Sequence, residues 1–412
     1  MSIDSTGDFH EFEALHEFAK TAKQKLSVNT WDYLMGGADT ETTLKRNRQA
    51  LDMIGFRPRV LNDVEDINCG ARFLGQDLRL PVVLAPIGSL QDFVETGALE
   101  PTLAAADFGC LHMLSSRSDP GLEAVADAVD YPKIFQLYVR GDTDWVDDHI
   151  SRAIDKGYIG FAFTVDLDYY GRRERDLAKR YRTTSRQTAS AIEWQYRFSW
   201  KDIERIRSKF DIPLILKGIA TAEDAQMAVE HGIDVIYASN HGGRQLDHGR
   251  GGIDTLPEIV DAAGDNADVM IDGGFMRGGD IVKAMALGAD AVSIGMAGLM
   301  ALNCNAPLYL EDYEALGTKP GACHMCQTGR CPVGIATQDP ALEARLDPEE
   351  GARRVRNYLS TLTMECQTLA RACGKSHVHN LEPEDMVALT VEAAAMARVP
   401  LAGTDWIPGV NK

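Results

Sequence analysis

The segment from residue 234 to residue 247, DVIYASNHGGRQLD, contains the pattern that decides the fold. Its first five residues, Asp234–Ala238, are mostly apolar, which is typical of a buried parallel β-strand. A polar stretch, Ser239–Asp247, follows directly. Because α/β barrels place their chemistry at the carboxyl ends of the strands, the segment predicts such a strand with His241 and Arg244 just past its end.

The same succession of apolar strand, turn and helical segment recurs between residues 80 and 300. We expect helices at Ala222–His231 and Gly279–Leu287, because Gly232 and Gly288 are C-terminal stop signals. Eight such units favour a (β/α)8 TIM barrel, in the α/β class, over a doubly wound open sheet, which needs no eighth strand. The predicted strands are Pro81–Pro86, Cys110–Ser115, Ile134–Val139, Ile159–Val165, Pro213–Lys217, Val235–Ser239, Asp268–Asp272 and Ala291–Ile294.

Composition excludes several classes of function. The 412 residues are 45% hydrophobic and 25% charged, which is ordinary for a globular protein of this size. A net charge of −19 argues against binding to nucleic acid or to anionic membrane surfaces. No apolar run approaches the roughly 18 residues of a membrane span, and residues 1–10 lack a signal-peptide pattern. We therefore expect a cytoplasmic protein, in which eight cysteines do not indicate a disulfide framework.

The chain divides into three predicted parts. Residues 1–75 form an N-terminal helical segment that contributes to the active site, with an amphipathic helix at Phe9–Lys25. Residues 76–300 form the barrel, and residues 301–412 form a Cys-rich loop followed by helices. The polar segment Arg182–Ser199 has no clear period, so we expect a loop after the fourth strand that is a candidate lid.

Polar residues recur where the predicted strands end, and they indicate one site. A histidine near neutral pKa takes a proton, and an arginine holds a carboxylate through two hydrogen bonds, so His241 and Arg244 suggest proton removal from a carboxylate-bearing substrate. A flavin explains most of the remaining residues. Lys217 fits the negative edge of a reduced flavin, and the glycines of the last two strands fit its phosphate. For any one residue alone, a structural loop role is an equally good interpretation.

Residues 10–300 resemble the FMN-dependent α-hydroxy-acid oxidases and dehydrogenases, the family of glycolate oxidase, lactate oxidase and mandelate dehydrogenase. The residues that carry the resemblance are WDY at 31–33, GGA at 36–38, FRPRVL at 56–61, FQLY at 135–138, TVD at 164–166, GRRE at 171–174, Lys217-Gly218 and SNHGGRQLD at 239–247.

The resemblance implies a role for each matching residue. His241 would be the base that removes the substrate proton as a hydride equivalent reaches flavin N5, and Asp166 would stabilise its imidazolium. Arg244 and Arg173 would clamp the carboxylate with help from Tyr33, and Tyr138 would contact the substrate hydroxyl. The implied flavin-binding residues of the barrel are Pro86, Ile87, Gly88, Ser115, Gln136, Thr164, Lys217, Ser239, Asp272, Gly273, Gly274, Arg277 and Gly295. The family also implies a homo-oligomer, a tetramer or larger.

The chain departs from the family pattern at three positions. Met276 and Met296 stand where the family usually carries arginines that touch the FMN phosphate, so backbone amides and Arg277 are left for that role. Arg117 stands where the family often has an aromatic or apolar residue that faces the substrate side chain. Either the substrate has a second anionic or polar group, or Arg117 turns to solvent.

Three cysteines followed by a proline form a second motif. The spacing Cys323-x2-Cys326-x4-Cys331-Pro332 suits an iron–sulfur cluster, with zinc as the alternative. Residues 326–338, CQTGRCPVGIATQ, resemble the iron–sulfur segment of the glutamate synthase FMN domain, and that resemblance covers about 285–400. Three ligands suit a 3Fe-4S cluster, and Cys304, Cys366 or Cys373 would supply the fourth ligand of a 4Fe-4S cluster.

The sequence thus favours an FMN-dependent dehydrogenase or oxidase of a small 2-hydroxy acid, whose electrons pass through a cluster to oxygen, a quinone or a redox protein. Two alternatives stay open. One is a glutamate-synthase-like oxidoreductase, and the other is a flavin and iron–sulfur electron carrier without catalysis.

Overall fold

The computed structural model describes residues 19, 22–23, 26, 28–92, 96–167, 171–183, 190–302, 310–315 and 348–411. The strands assigned in these ranges are β1 Ile54–Phe56, β2 Ala71–Phe73, β3 Gln76–Leu78, β4 Val82–Leu84, β5 Leu111–Ser115, β6 Ile134–Leu137, β7 Gly160–Thr164, β8 Leu214–Ile219, β9 Val235–Ala238, β10 Asp268–Ile271, β11 Ala291–Ile294 and β12 Met386–Ala388.

The helices of the same ranges surround the strands. They are α1 Val28–Met35, α2 Thr42–Asp52, α3 Leu99–Phe108, α4 Leu122–Ala128, α5 Thr143–Asp155, α6 Glu174–Ala178, α7 Glu193–Arg197, α8 Trp200–Lys209, α9 Ala222–Glu230, α10 Gly252–Ala263, α11 Gly278–Ala286, α12 Met296–Leu302, α13 Leu310–Ala315, α14 Pro348–Ala372 and α15 Val391–Ala397.

Strands β4 to β11 form a closed parallel barrel in which β11 pairs with β4. The predicted TIM barrel is therefore confirmed, and each of the eight predicted strands is present within two residues of its predicted bounds. Strands such as β4 and β9 are buried along their whole length, as parallel strands covered by helices are. The predicted helices at 222–231 and 279–287 are present as α9 and α11.

A strand that precedes the barrel in the chain pairs with a strand that follows it. Strand β1 pairs antiparallel with β12, which joins Ile54 to Ala388. Helix α14 packs against α3 and α11, and its Tyr358 hydroxyl donates to the carbonyl of Met276 at 2.9 Å. Helices were expected in the C-terminal part, and the strand β12 between them was not. The division into three parts stays a prediction.

Two predicted features of the sequence fall partly outside the described ranges. Of the predicted helix Phe9–Lys25, only Ala19, Ala22 and Lys23 are described. The loop expected at Arg182–Ser199 is described except for residues 184–189, and it contains the short helix α7. Gln195 of α7 is buried, and its amide accepts from Val139 N and donates to Thr164 O, both at 3.0 Å. These two bonds attach α7 to the barrel.

None of the helices in the described ranges has the length and apolar character that crossing a membrane requires.

Candidate active site

His241 and Asp166 form a buried pair at the carboxyl end of the barrel. His241 Nδ1 lies 2.9 Å from Asp166 Oδ1 and 3.0 Å from Oδ2. Burial lowers the pKa of His241 below its usual value, although Asp166 acts in the opposite direction. Burial alone would raise the pKa of Asp166, but the charges of His241 and Lys217 outweigh it and lower that pKa. The imidazole is therefore neutral near pH 7, and Nε2 is able to accept a proton.

The loop after β9 holds His241 in an unusual backbone conformation. Its φ is 55°, a left-handed value that a non-glycine residue rarely adopts. Two side-chain bonds fix the turn: Ser239 Oγ accepts from His241 N at 3.0 Å, and Asn240 Oδ1 accepts from Gly243 N at 3.2 Å. Backbone strain of this kind persists where the surrounding structure enforces it, and it often marks functional sites.

Two arginines lie over the ring of Tyr33, which belongs to α1. The guanidinium carbon of Arg244 is 4.7 Å from the ring centroid and that of Arg173 is 5.1 Å from it. Arg244 Nη1 also donates to the carbonyls of Leu34 at 3.0 Å and Gly36 at 2.8 Å, at the end of α1. Burial and the charge of Arg173 lower the pKa of Arg244 to about 10, so Arg244 stays cationic at neutral pH.

Two N–H groups of the Arg173 guanidinium are available to bind a ligand. The side chain is buried, yet its Nε and Nη1 have no hydrogen-bond partner among the residues that the structure describes. A buried guanidinium without acceptors is costly, and an anion that binds beside it removes that cost. This geometry fits a carboxylate between Arg173 and Arg244.

The N-terminal segment and two barrel loops are locked together around this pair of arginines. Gly171 approaches the β9 loop so closely that a Cβ there would lie 2.5 Å from the carbonyl oxygen of Arg244. Asp247 accepts from Thr40 N at 2.9 Å, Thr40 Oγ1 at 2.6 Å and Thr43 N at 2.7 Å. These bonds fix the start of α2 against the loop that carries His241.

Lys217 of β8 lies in a second polar cluster next to the histidine. Its ammonium donates to Ser239 Oγ at 2.8 Å and lies 3.3 Å from Asp272 Oδ2. Asp272 also accepts from the hydroxyls of Ser239 at 2.6 Å and Tyr237 at 2.9 Å. These bonds hold the Lys217 side chain in a fixed position at the end of the barrel. Lys217 is also one of the residues that line the cavity.

One cavity of about 230 Å³ brings most of the predicted residues together. Its walls come from α1 and from the loops that follow the barrel strands. The predicted site residues that line it are Tyr33, Pro86, Ile87, Gly88, Arg117, Tyr138, Arg173, Lys217, His241, Arg244, Asp272, Gly273, Gly274 and Gly295. Asp166 is not among the lining residues, but it is hydrogen-bonded to His241, which is.

Four further predicted residues lie in the layer of buried strand ends rather than on the cavity wall. They are Ser115, Gln136, Thr164 and Ser239. Gln136 Nε2 donates to Thr164 Oγ1 at 2.9 Å, and Gln136 Oε1 has no hydrogen-bond partner in the described part of the chain. A buried amide oxygen without a donor fits a ligand that carries an N–H group.

Comparison with known proteins identifies this arrangement. The family model for FMN-dependent dehydrogenase matches residues 22–308, which include every residue of the cavity described above. The chain belongs to the FMN-dependent dehydrogenase family. It is therefore an FMN-dependent oxidoreductase, and the predicted family resemblance is confirmed.

This FMN-dependent enzyme is similar to named oxidases and to a solved oxidase structure. L-lactate oxidase of Nostoc sp. (strain PCC 7120 / SAG 25.82 / UTEX 2576) is 38% identical over 309 residues, which cover 68% of this chain and 84% of that protein. Glycolate oxidase 3 of Arabidopsis thaliana is 36% identical over 314 residues, which cover 71% and 85%. The crystal structure of mandelate oxidase matches with a TM-score of 0.73 and 31% identity, over 89% of this chain and 96% of that chain.

The cavity fits the ring of FMN. The unpartnered Gln136 Oε1 suits an N–H of the ring, and Lys217 suits its N1/O2 edge. Gly273 and Gly274 have φ values of 114° and 84°, which only glycine adopts without strain, and they form a turn that lines the cavity. Together with Gly295 they leave backbone exposed at the ends of β10 and β11, where TIM barrels hold phosphate groups.

None of the described residues that line the cavity after β10 and β11 carries a positive charge. Met276 and Met296 line the cavity there, whereas Arg277 does not. Arg277 lies outside the cavity and pairs with Glu365 of α14 at 3.6 Å. The backbone amides of Met276 and Arg277 already donate to Asp280 Oδ2 at 3.0 and 3.1 Å. The sequence did not reveal the pairing of Arg277 with Glu365, because Glu365 is far away in the chain.

The structure also brings residues to the cavity that the sequence analysis missed. Arg140 follows β6 two residues after Tyr138 and lines the cavity beside it. Thr183 and Gln245 line it as well. The position of Arg140 at a strand end was a usable signal, because it is the same signal that identified Tyr138.

A second family model, the conserved region in glutamate synthase, matches residues 259–376 and agrees with the predicted C-terminal resemblance. The cysteines Cys323, Cys326 and Cys331, and Cys304, lie outside the described residues. Cys366 and Cys373 are described and buried, and burial raises the pKa of Cys373 to about 11 and that of Cys366 well above its usual value. The described residues contain no group of three or more side chains arranged to hold a metal ion.

Proposed function

We propose that this protein oxidises a 2-hydroxy acid to the 2-oxo acid. The observation that supports it best is one cavity containing a neutral His241 paired with Asp166, two arginines for a carboxylate, and Lys217. The named relatives, a lactate oxidase and glycolate oxidases, act on acids of this class.

Arg173 and Arg244 bind and orient the substrate carboxylate. Their guanidinium groups converge over Tyr33 and offer a planar set of N–H donors, which matches the two oxygens of a carboxylate. Fixing the carboxylate at C1 also fixes the neighbouring C2 and its hydroxyl. Such positioning makes a large contribution to rate, because little orientational freedom remains to be lost in the reaction.

His241 accepts the proton of the substrate hydroxyl at Nε2. Asp166 holds Nδ1–H and stabilises the positive charge that develops on the ring. Tyr138 contacts the same hydroxyl and the developing oxyanion. When bound, FMN supplies the acceptor for the hydride that leaves C2, at its N5 atom. The substrate thus loses one proton and one hydride, and a carbonyl forms at C2.

The C-terminal part suggests where the electrons go. We propose that Cys323, Cys326 and Cys331 hold an iron–sulfur cluster of the 3Fe-4S or 4Fe-4S type, in line with their spacing and with the glutamate synthase match. Such a cluster passes electrons one at a time, which favours a quinone or a redox protein over oxygen as the acceptor. The homo-oligomer and the cytoplasmic location stay predictions.

The glutamate synthase match favours one second candidate. In that alternative the flavin reacts with 2-iminoglutarate, formed from 2-oxoglutarate and ammonia. The complete set of Tyr33, Tyr138, Arg173, His241 and Arg244 argues against it, because those residues suit a hydroxy acid.

An anaerobic experiment tests the proposal. The protein is purified under argon with FMN, its iron and zinc are measured, and 2-hydroxy acids are added one at a time while the flavin absorbance is recorded. Loss of the flavin band with a 2-hydroxy acid, and about three or four irons per chain, is the expected result. Flavin that stays oxidised with every 2-hydroxy acid, but that is reoxidised by 2-oxoglutarate and ammonia after chemical reduction, would overturn the proposal.

A further inference from the structure

Helix α2 presents one face to the loop that carries His241. Asn47 lies three residues after Leu44 and four residues after Thr43, so these side chains share one side of the helix. A Cβ on Gly243 of the loop would lie only 2.4 Å from Leu44 N, because the loop and the helix approach each other so closely. The position of the loop is therefore sensitive to the residues on this face of α2.

Asn47 is completely buried, and its side-chain amide pairs with the amide of Asn240, the residue before His241. Asn47 Oδ1 accepts from Asn240 Nδ2 at 2.6 Å, and Asn47 Nδ2 donates to Asn240 Oδ1 at 3.1 Å. Asn47 Oδ1 also accepts from Gly252 N at 2.8 Å, at the start of α10. One side chain of α2 thus holds two segments that follow β9 in the chain.

These bonds support the strained conformation of His241. Asn240 Oδ1, which accepts from Asn47, also accepts from Gly243 N at 3.2 Å, and this bond closes the turn around His241. The left-handed φ of 55° at His241 persists only while the surrounding structure enforces it. Without Asn47, the amide of Asn240 would lose its fixed orientation, and His241 would relax away from the position in which it lines the cavity.

Asn47 also contacts the glycine turn after β10. A Cβ on Gly274 would lie 3.1 Å from Asn47 Cβ, and a Cβ on Gly273 would lie 3.4 Å from Asn47 Oδ1. The next residue of α2, Arg48, donates from Nη1 to the carbonyl of Gly274 at 3.3 Å. The turn lines the cavity where TIM barrels hold phosphate groups, so the residue that holds the His241 loop also supports this turn.

We infer that Asn47 is a positioning residue, which holds His241 for proton transfer and the Gly273-Gly274 turn for the phosphate of FMN. It is not among the described residues that line the cavity, so it acts through Asn240 and through the turn. Its role at His241 rests on the proposed function, whereas its role at the turn rests only on FMN binding. Loss of this one side chain should therefore weaken both catalysis and FMN binding.

Asn47→Ala in the FMN-loaded enzyme tests the role at His241. We expect the limiting rate of anaerobic flavin reduction by a 2-hydroxy acid to fall about tenfold or more, since the loss of a buried, hydrogen-bonded amide corresponds to about that factor. Affinity for the acid should change less, because Arg173 and Arg244 bind the carboxylate. Asn47→Asp has the same shape and keeps the acceptors for Asn240 and Gly252, so its rate should lie between those of the wild type and Asn47→Ala.

FMN and riboflavin separate the role at the turn from a general loss of stability. Asn47→Ala should raise Kd for FMN by about tenfold and Kd for riboflavin by less, because only FMN has the phosphate. Asp147→Ala is the matched control. Asp147 is also buried, and it joins α5 to α8 by accepting from Arg205 at 2.8 Å and Lys209 at 2.6 Å. This variant should lower the free energy of unfolding and leave both Kd values and the reduction rate unchanged.

A double-mutant cycle tests the pairing of the two amides. Asn240→Ala alone should slow flavin reduction, and Asn47→Ala added to it should slow the reaction by a smaller factor than in the wild type. Hydrogen exchange gives a readout without turnover. In FMN-loaded Asn47→Ala, the amides of residues 239–252 should exchange at least about tenfold faster than in the wild type, and those of α5 should be unchanged.

Two outcomes would overturn the inference and leave the proposed function standing. One is a lower free energy of unfolding in Asn47→Ala with an unchanged ratio of the FMN and riboflavin Kd values and unchanged exchange in residues 239–252. The other is a pair of independent, additive losses in the double-mutant cycle. If no 2-hydroxy acid reduces the flavin of the wild type, the proposed function is wrong, and the flavin affinities and the hydrogen exchange still decide the inference.

Discussion

His241 Nδ1 lies 2.9 Å from Asp166 Oδ1, and the side chains of His241 and Asp166 are only 17% and 9% exposed. The carboxylate therefore stabilises the imidazolium more strongly than it would in water. This relationship makes the pH dependence of the enzyme predictable.

The rate of flavin reduction should rise with pH and level off at neutral pH. The base must be deprotonated, and burial places the pKa of His241 below the usual 6.5, so activity is lost as the pH falls through a value under 6.5. In Asp166→Asn the carboxylate no longer raises that pKa, so the inflection should move to still lower pH. The plateau rate should fall by about 100-fold or more, because the imidazolium is less stable. Anaerobic stopped-flow measurements from pH 5 to 9 check both effects, and an unchanged plateau in the variant would contradict the assigned pairing.

The hydroxyl and the ring of Tyr33 should contribute separately to binding of the hydroxy acid. Tyr33→Phe keeps the ring beneath both guanidinium groups and removes only the hydroxyl, whereas Tyr33→Ala removes the ring as well. We expect KM for the hydroxy acid to rise about tenfold in the first variant and further, toward 100-fold, in the second, since a desolvated cation–π contact contributes about 2 kcal/mol. Equal KM values in the two variants would show that the ring does not position the arginines.

Asp247 should stabilise the enzyme in a pH-dependent manner. Burial alone would raise the pKa of its carboxyl, but the bonds from Thr40, Thr43 and His248 outweigh this and lower the pKa well below the usual range. A depressed carboxyl pKa contributes stability that is present above about pH 4 and is lost as the pH falls further. Asp247→Ala should lower the free energy of unfolding by about 2–3 kcal/mol at pH 7. Urea denaturation at pH 7 and pH 3 checks this, and a difference as large at pH 3 as at pH 7 would be inconsistent with the ionised carboxylate as its cause.

Met296→Arg should strengthen FMN binding. The methionine lines the cavity at the end of β11, and Arg277 is engaged with Glu365 instead. An arginine at residue 296 would place a cation where a barrel binds phosphate, and we expect Kd for FMN to fall about tenfold. Fluorescence titration of FMN into the apoprotein checks it, with riboflavin as the control because it has no phosphate. Equal improvement for riboflavin and FMN would contradict a phosphate contact.

The sequence predicted the barrel and its site closely for a physical reason. Apolar strand segments and the polar residues after them are local patterns, so β9 and the residues His241 and Arg244 could be located without any tertiary information. Contacts between distant segments were beyond such reasoning. The pairing of β1 with β12 depends on two three-residue strands far apart in the chain. The position of Arg277 depends in the same way on Glu365, an acidic partner on a remote helix.

Arg140 shows a different limit. It lies three residues after β6, so its position was a usable signal, but position alone does not show that its side chain turns into the cavity. Only the structure, with Ser116 joining two neighbouring loops, places Arg140 and Arg117 on the same cavity.

The most direct test of the account measures how fast the bound flavin is reduced in the absence of oxygen, in the wild type and in His241→Gln at equal FMN content. The account predicts that at least one 2-hydroxy acid bleaches the flavin of the wild type. In the variant the same acid should bleach the flavin at least about 100-fold more slowly. Equal rates in the two proteins, or no bleaching of the wild type by any 2-hydroxy acid, would contradict it.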